Sequence, residues 1–171
     1  MAEIKYKYDI SAEREFKRVA VFKGKPKGII IFDSYNNEWF PLKLVTIDKI
    51  DFNLRVMKDE FHRTYGGSAM AELFMPWHYN VEFIGKNYYI ASTRPITYKS
   101  LIPGYEDYIS ICITGDSNID IYSPELYKTI AHTIINPLHY LIGWHIKPDQ
   151  QVEYHNLGSG FKEMQLKKNF R

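Results

Sequence analysis

The sequence predicts an α/β fold, a single mixed β-sheet with helices packed on it, and three observations carry that expectation. Gly28-Ile-Ile-Ile-Phe32 and Tyr108-Ile-Ser-Ile-Cys-Ile-Thr114 are almost unbroken apolar, β-branched runs, as strands covered on both faces are. Between them, Trp77 to Ile84 and Asn87 to Ser92 flank Gly85-Lys86, a hairpin signal. After them, Ser123-Pro124-Glu125 opens a helix, with serine as N-cap, proline pre-set for the first turn and glutamate favourable to the dipole.

Taken in order, Arg18-Val-Ala-Val-Phe22 reads as a strand joined to the Gly28 run by a basic turn, Lys23 to Lys27. A polar turn at Ser34 to Asn37 follows. Ile47, Ile50, Leu54, Met57 and Phe61 recur at three and four, predicting a helix over about 48–63 that ends at Gly66-Gly67. A short helical piece, 68–74, stops before Pro76. The helix opened by Ser123 presents Leu126, Ile130, Ile134 and Leu138 on one face, and Pro137 is expected to end or kink it near Asn136. Tyr140 to His145 reads as the last strand. Ile30, Phe32, Ile109, Ile111, Ile113, Ile130 and Ile134 are expected to be buried together between sheet and helices.

Composition narrows the function classes. With 171 residues, 45% hydrophobic, 25% charged and 16% aromatic, the chain has material for one sizeable core. A net charge of +2, with both signs spread along the chain, gives no electrostatic case for nucleic acid. No apolar run approaches the ~20 residues of a membrane span, and Met1-Ala-Glu-Ile-Lys lacks the apolar core of a signal peptide. The expected location is therefore the cytoplasm or a virion. The single cysteine, Cys112, sits between isoleucines and reads as a small core side chain rather than a nucleophile. Gly115-Asp116-Ser117 lacks the glycines of a phosphate cradle and reads as a turn. The six histidines, His62, His78, His132, His139, His145 and His155, contain no close ligand pair.

Taken together, Phe32-Asp33-Ser34 ending an apolar strand, Trp77-His78-Tyr79 leading into a hairpin, Ile109 to Asp116, and Ser123-Pro-Glu with a helix running to Gly143-Trp144-His145 resemble the zinc-dependent N-acetylmuramoyl-L-alanine amidase and peptidoglycan-recognition fold, which includes phage lysozymes of the amidase type. The resemblance spans about Gly28 to His155. It implies an amidase-like domain over residues 1–160, followed by a basic and apolar tail, 161–171. It also implies a zinc-binding histidine at the end of the first strand, where this chain has Phe32 and then Asp33. A second histidine is implied on the last strand, near Gly143-Trp144-His145, and a third ligand within Asp149 to Glu153. The family's assisting tyrosine corresponds to Trp77.

Phenylalanine and tryptophan cannot ligate zinc, so the expectation is no cofactor and a pseudoenzyme that binds a partner. A register shifted by one would instead bring Asp33, His145, Glu153 and His155 forward as ligands of a zinc amidase. The expected partner is another protein or copies of this chain, as in a phage structural or regulatory protein, with peptidoglycan as the other candidate. Phe32, Trp77, Trp144, Phe161 and Phe170 are the candidate binding residues. Phe32, Trp77 and Trp144 are expected to converge, and the tail, with Phe161, Met164, Leu166 and Phe170 among cations, is expected to be buried against another chain.

Overall fold

The computed structural model describes residues 4–7, 21–39, 75–84, 87–120, 122–144 and 148–171. Its strands are β1 (Ile4–Lys7), β2 (Gly28–Asp33), β3 (Tyr79–Ile84), β4 (Asn87–Ser92), β5 (Tyr108–Ile113) and β6 (Val152–His155). They form one mixed sheet in the spatial order β1-β4-β3-β5-β2-β6. The β3–β4 hairpin is antiparallel and every other neighbouring pair is parallel. Two central strands are the apolar runs the sequence singles out, and all six residues of β2 are buried.

The helices are α1 (Pro124–Thr129), α2 (Asn136–Ile142), α3 (Pro148–Gln151) and α4 (Glu163–Lys167), with a π-helical segment, Ile130–Ile135, joining α1 to α2. Ser123 stands at the N-cap with extended backbone and Pro124 at the first turn. The predicted helices over 48–63 and 68–74 lie outside the described residues, as do residues 18–20 of the predicted first strand. Of that strand, Val21 makes an isolated bridge to Tyr98, and the Phe22 amide donates to the Thr97 carbonyl at 3.0 Å.

Side-chain alternation divides the core in two. Ile29, Ile31, Ile109, Ile111, Ile113, Val81 and Ile90 face Leu126, Ile130, Ile134 and Leu138 of the helical layer. Phe32, Cys112 and Ala91 point to the opposite face, where they pack with Trp39, Met75, Trp77 and Ile102. The expected joint burial of Ile30 and Phe32 with Ile109, Ile111 and Ile113 is thereby corrected: both are fully buried, but side chains alternate along a strand and their positions fall outside the helical-face cluster.

Of the two outcomes expected at Pro137, an end or a kink, the first does not occur, and the expected last strand and tail are corrected. Pro137 does not end the helix: the turns widen to the π form just before it, with the Asn136 amide donating five residues back to Ala131. A π-bulge absorbs the missing amide and relieves the ring's clash with the preceding turn. Tyr140 to Ile142 are consequently helical, and the helix closes at Gly143, whose φ of 73° is the left-handed C-cap that glycine adopts without strain. The last strand is Val152–His155 instead. Finally, the segment after Gly160 packs on its own domain. Phe161 is 6% and Leu166 0% exposed, Phe161 meets Tyr122, Tyr127 and Tyr154, and Asn136 binds the Asn169 carbonyl and the Arg171 amide. Phe170 is half-buried against the same cluster, and Met164 remains exposed.

Candidate functional site

In an open α/β sheet, ligands meet the C-terminal ends of the parallel strands. Here β2, β5 and β6 run parallel and end together, with Phe32 in register with Cys112 on one side and His155 on the other. The Trp39 indole, on the loop after β2, stacks on the His155 imidazole at 4.3 Å and 21° and takes the Phe32 ring edge-on at 5.0 Å. Trp77 meets Phe32 edge-on at 5.9 Å. Tyr105 closes the group, 6.1 Å from Trp39 and 5.9 Å from His155. These offset and edge contacts are the geometries aromatic quadrupoles favour.

The outer rim is polar. Glu38 Oε2 lies 2.9 Å from His155 Nε2, and Glu153, on the strand face that His155 shares, is exposed. Tyr105 and Tyr108 are half-buried, and their rings meet edge-on at 5.3 Å. Desolvation first, then the nearby carboxylates, raises both phenol pKa values: Glu153 and Glu38 for Tyr105, and for Tyr108 the hydrogen bond and charge of Glu153, with smaller contributions from Tyr105 and Asp107. The phenols stay protonated and present donors beside two carboxylate acceptors. Gly28, the partner of Tyr108 in register on β2, leaves room for that ring: a Cβ there would fall 3.2 Å from the tyrosine ring and 2.5 Å from the Gln151 carbonyl.

Asp33 organises the loops behind this rim. Its Oδ1 accepts from the Tyr35 amide at 3.0 Å and the Asn36 amide at 2.5 Å. Its Oδ2 accepts from the Asn36 side chain at 2.7 Å, the Ser117 amide at 3.0 Å and the Ser117 hydroxyl. Ser117 Oγ in turn accepts from the Gly158 amide at 2.6 Å. With five donors on about four lone-pair sites, this carboxylate has none left for a metal.

The expected residues therefore separate. Phe32 and Trp77 come together; Trp144 does not join them, since it packs on the other core cluster and donates to the Pro26 carbonyl at 3.0 Å. The histidine beside Phe32 is His155, because β6 and not 140–145 is the last strand. Phe161 and Phe170 belong to the helical face. His145 lies outside the described residues. Glu38 carries no signal in the sequence; Trp39, Tyr105 and Tyr108 stand there among aromatic residues able to stack on sugars or bases, which read more readily as half-buried packing.

The zinc that the resemblance implies does not fit these residues. Among the described residues His155 is the one imidazole at the end of β2 and β6, Trp39 stacks on its face, and Asp33 is saturated. Cys112 is fully buried, with its pKa raised well above that of a free thiol by desolvation first and then by Asp33 and Glu82, so it offers no thiolate. Among the described residues no three His, Cys, Asp or Glu side chains gather as a metal site. His78 is equally unsuited. Fully buried, it contacts the Tyr98 carbonyl through Nε2 at 2.7 Å and accepts from the Ser110 amide at Nδ1, 3.0 Å.

No protein-family model and no curated protein sequence matches the chain. Solved structures do. Drosophila PGRP-LB is similar over 100% of this chain and 97% of its own, with a TM-score of 0.64 and 17% identity. PGRP-Hd from Alvinella pompejana is similar over 98% and 96%, with a TM-score of 0.61 and 11% identity. The N-acetylmuramoyl-L-alanine amidase LysC from Clostridium intestinale is similar over 84% and 85%, with a TM-score of 0.52 and 17% identity. A tyrosine-to-phenylalanine mutant of the Drosophila protein, in complex with tracheal cytotoxin, also matches, with a TM-score of 0.56 at 18% identity over 81% of this chain and 75% of its own. The fold is that of the amidases and peptidoglycan-recognition proteins. Among the described residues no helix is long and apolar enough to cross a membrane.

Proposed function

We propose that this chain recognises peptidoglycan fragments without hydrolysing them. The observation that carries the reading is the filling of the strand end: Phe32 stands where the amidase reading needs a metal-binding histidine, and its ring interlocks with those of Trp39 and Trp77. A hydrolytic amidase of this type uses zinc to polarise the carbonyl and activate water, and no step of that kind is available to these side chains. The rim suits binding instead. Tyr105, Tyr108 and His155 offer ring faces and edges for sugar, and Glu38 and Glu153 offer acceptors for hydroxyl, amide and ammonium groups. The complex of the Drosophila protein with tracheal cytotoxin, a peptidoglycan fragment, supports that ligand class. The reading built on a protein partner for the tail loses its main support, because Phe161 and Leu166 are covered by their own domain.

The test combines sedimentation with purified sacculi, metal analysis and an amidase assay. Protein purified without chelator is expected to carry no stoichiometric zinc, to keep its melting temperature in chelator, to sediment with sacculi and to release no product even with zinc added. Tyr105→Ala is expected to weaken sacculus binding about tenfold, or about 1.4 kcal/mol. One zinc per chain with cleavage of sacculi would replace this reading by the zinc amidase, and protein that neither sediments nor cleaves would overturn both.

A further inference from the structure

A second concavity lies at the N-terminal end of β2, lined by residues that the proposed function does not use. Phe22, Pro26, Ile96, Leu141 and Ile142 wall a cleft of about 580 Å³, with Lys25 at its edge. That volume is typical of small-molecule sites, which are mainly apolar with a few placed polar groups. The surface beside it is unusually apolar. Five large hydrophobic side chains stand exposed among the described residues, and three of them, Val21 at 51%, Leu141 at 68% and Tyr140 at 87%, belong to this end. Scattered exposed hydrophobics need no explanation, but a concentration around a concave wall marks a binding surface.

Charge selects the occupant. Lys23 and Lys25 are both exposed on the turn that forms one wall. Lys27 is drawn aside toward Asp107, 3.7 Å away. Lys25 Nζ donates to the Gly143 carbonyl at 2.6 Å, which neutralises the negative end of α2 and leaves two of the ammonium's three donors. An apolar cavity with a cation at its mouth matches a molecule with an apolar chain and an anionic head.

We propose that this cleft binds a free alkyl carboxylate, its chain between Phe22, Ile96 and Leu141 and its head on Lys25. Trp144 supplies an internal reporter: its indole donates to the carbonyl of Pro26, a wall residue, at 3.0 Å. The buried Trp39 and Trp77 belong to the other cluster.

The test titrates the full chain with laurate below its micelle concentration and follows tryptophan fluorescence. Saturable binding of one laurate per chain is expected, weakening about fourfold for each methylene removed along the series to octanoate. Lys25→Gln is expected to weaken laurate about tenfold, and dodecyltrimethylammonium, with the same chain and the opposite head, is expected to bind far more weakly than laurate. Leu141→Glu, at an exposed position, is expected to abolish the response while keeping the melting temperature; if it fails to fold, Lys25→Gln decides alone. Absence of saturable binding, equal affinity for the cationic amphiphile, indifference to Lys25→Gln, or a response only to anionic-lipid vesicles would each overturn the proposal. Sacculus binding by the same variants is expected to be unchanged, so the two sites fail independently.

Discussion

The two faces of the sheet solve the same burial problem with different chemistry. Toward the helices, Ile29, Ile31, Ile109, Ile111 and Ile113 meet Leu126, Ile130, Ile134 and Leu138, and non-directional apolar contact supplies the stabilisation. On the other face, Phe32, Trp39 and Trp77 share the interior with His78, Asn80, Glu82 and Ser110, all of them buried. There each polar group has a designated partner: Trp77 donates to Asn80 at 3.1 Å, Asn80 to Thr114 at 2.9 Å, and Thr114 to Glu82 at 3.2 Å. A buried polar group costs free energy unless it is satisfied, so this face fixes geometry where the helical face contributes bulk stability.

Adjacent residues on β5 break the comparison most sharply. Ile111→Ala on the helical face is expected to cost ~2–5 kcal/mol through lost contacts and a cavity. Ser110→Ala, one residue away on the other face, is expected to cost about 1–3 kcal/mol by withdrawing a hydroxyl from His78 and Ser100. Urea unfolding of the two variants measures the difference, and a reversed order would mean that the polar face carries the stability.

A pH series sharpens the same contrast. Burial holds the His78 pKa down at about 3 from 6.5, with the Tyr98 carbonyl opposing and the Arg94 charge adding to the depression. Between those values the unfolded chain binds a proton that the folded chain refuses. Stability from this residue is therefore present above pH 6.5 and lost as pH falls toward 3, at up to about 1.4 kcal/mol per pH unit. His78→Gln is expected to lower stability near neutrality yet flatten that slope, whereas Ile111→Ala leaves the slope intact. The smallest effect belongs to the rim. Glu38, 59% exposed and paired with His155, is expected to contribute no more than about 1 kcal/mol, read as the change in unfolding free energy of Glu38→Gln.

The same contrast explains what was legible in the sequence. β2 and β5 announced themselves through apolar runs, because strands covered on both faces need continuous hydrophobicity, and the hairpin through the Gly-Lys pair in the sequence between its two runs. β6 did not, since Val152-Glu-Tyr-His155 alternates and borders solvent, while the apolar stretch after Pro137 imitated a strand and is the end of a helix. β1, Ile4-Lys-Tyr-Lys7, carried a weak two-residue period with lysines suited to an edge, too short to weigh. At the site, Phe32 and Trp77 could be placed from the resemblance. Trp39 could not, because its position depends on hydrogen bonds of a polar loop: the Asn37 side chain donates to the Asp33 carbonyl at 2.5 Å and accepts from the Trp39 amide at 2.8 Å. His155 became Phe32's neighbour only once the last strand was known.

Asp33 has a consequence for the thermodynamics of recognition. Its carboxylate joins the β2 loop to Ser117, 84 residues away, and Ser117 extends the clasp to Gly158, so the segments presenting Glu38, Trp39 and His155 are set during folding. A surface that must order itself around its ligand loses about 0.5–1.5 kcal/mol for each side chain immobilised. Here that ordering entropy has been surrendered before any ligand arrives, so under the proposed function a sugar meeting these rings owes the cost of association and desolvation but not the cost of arranging the loops.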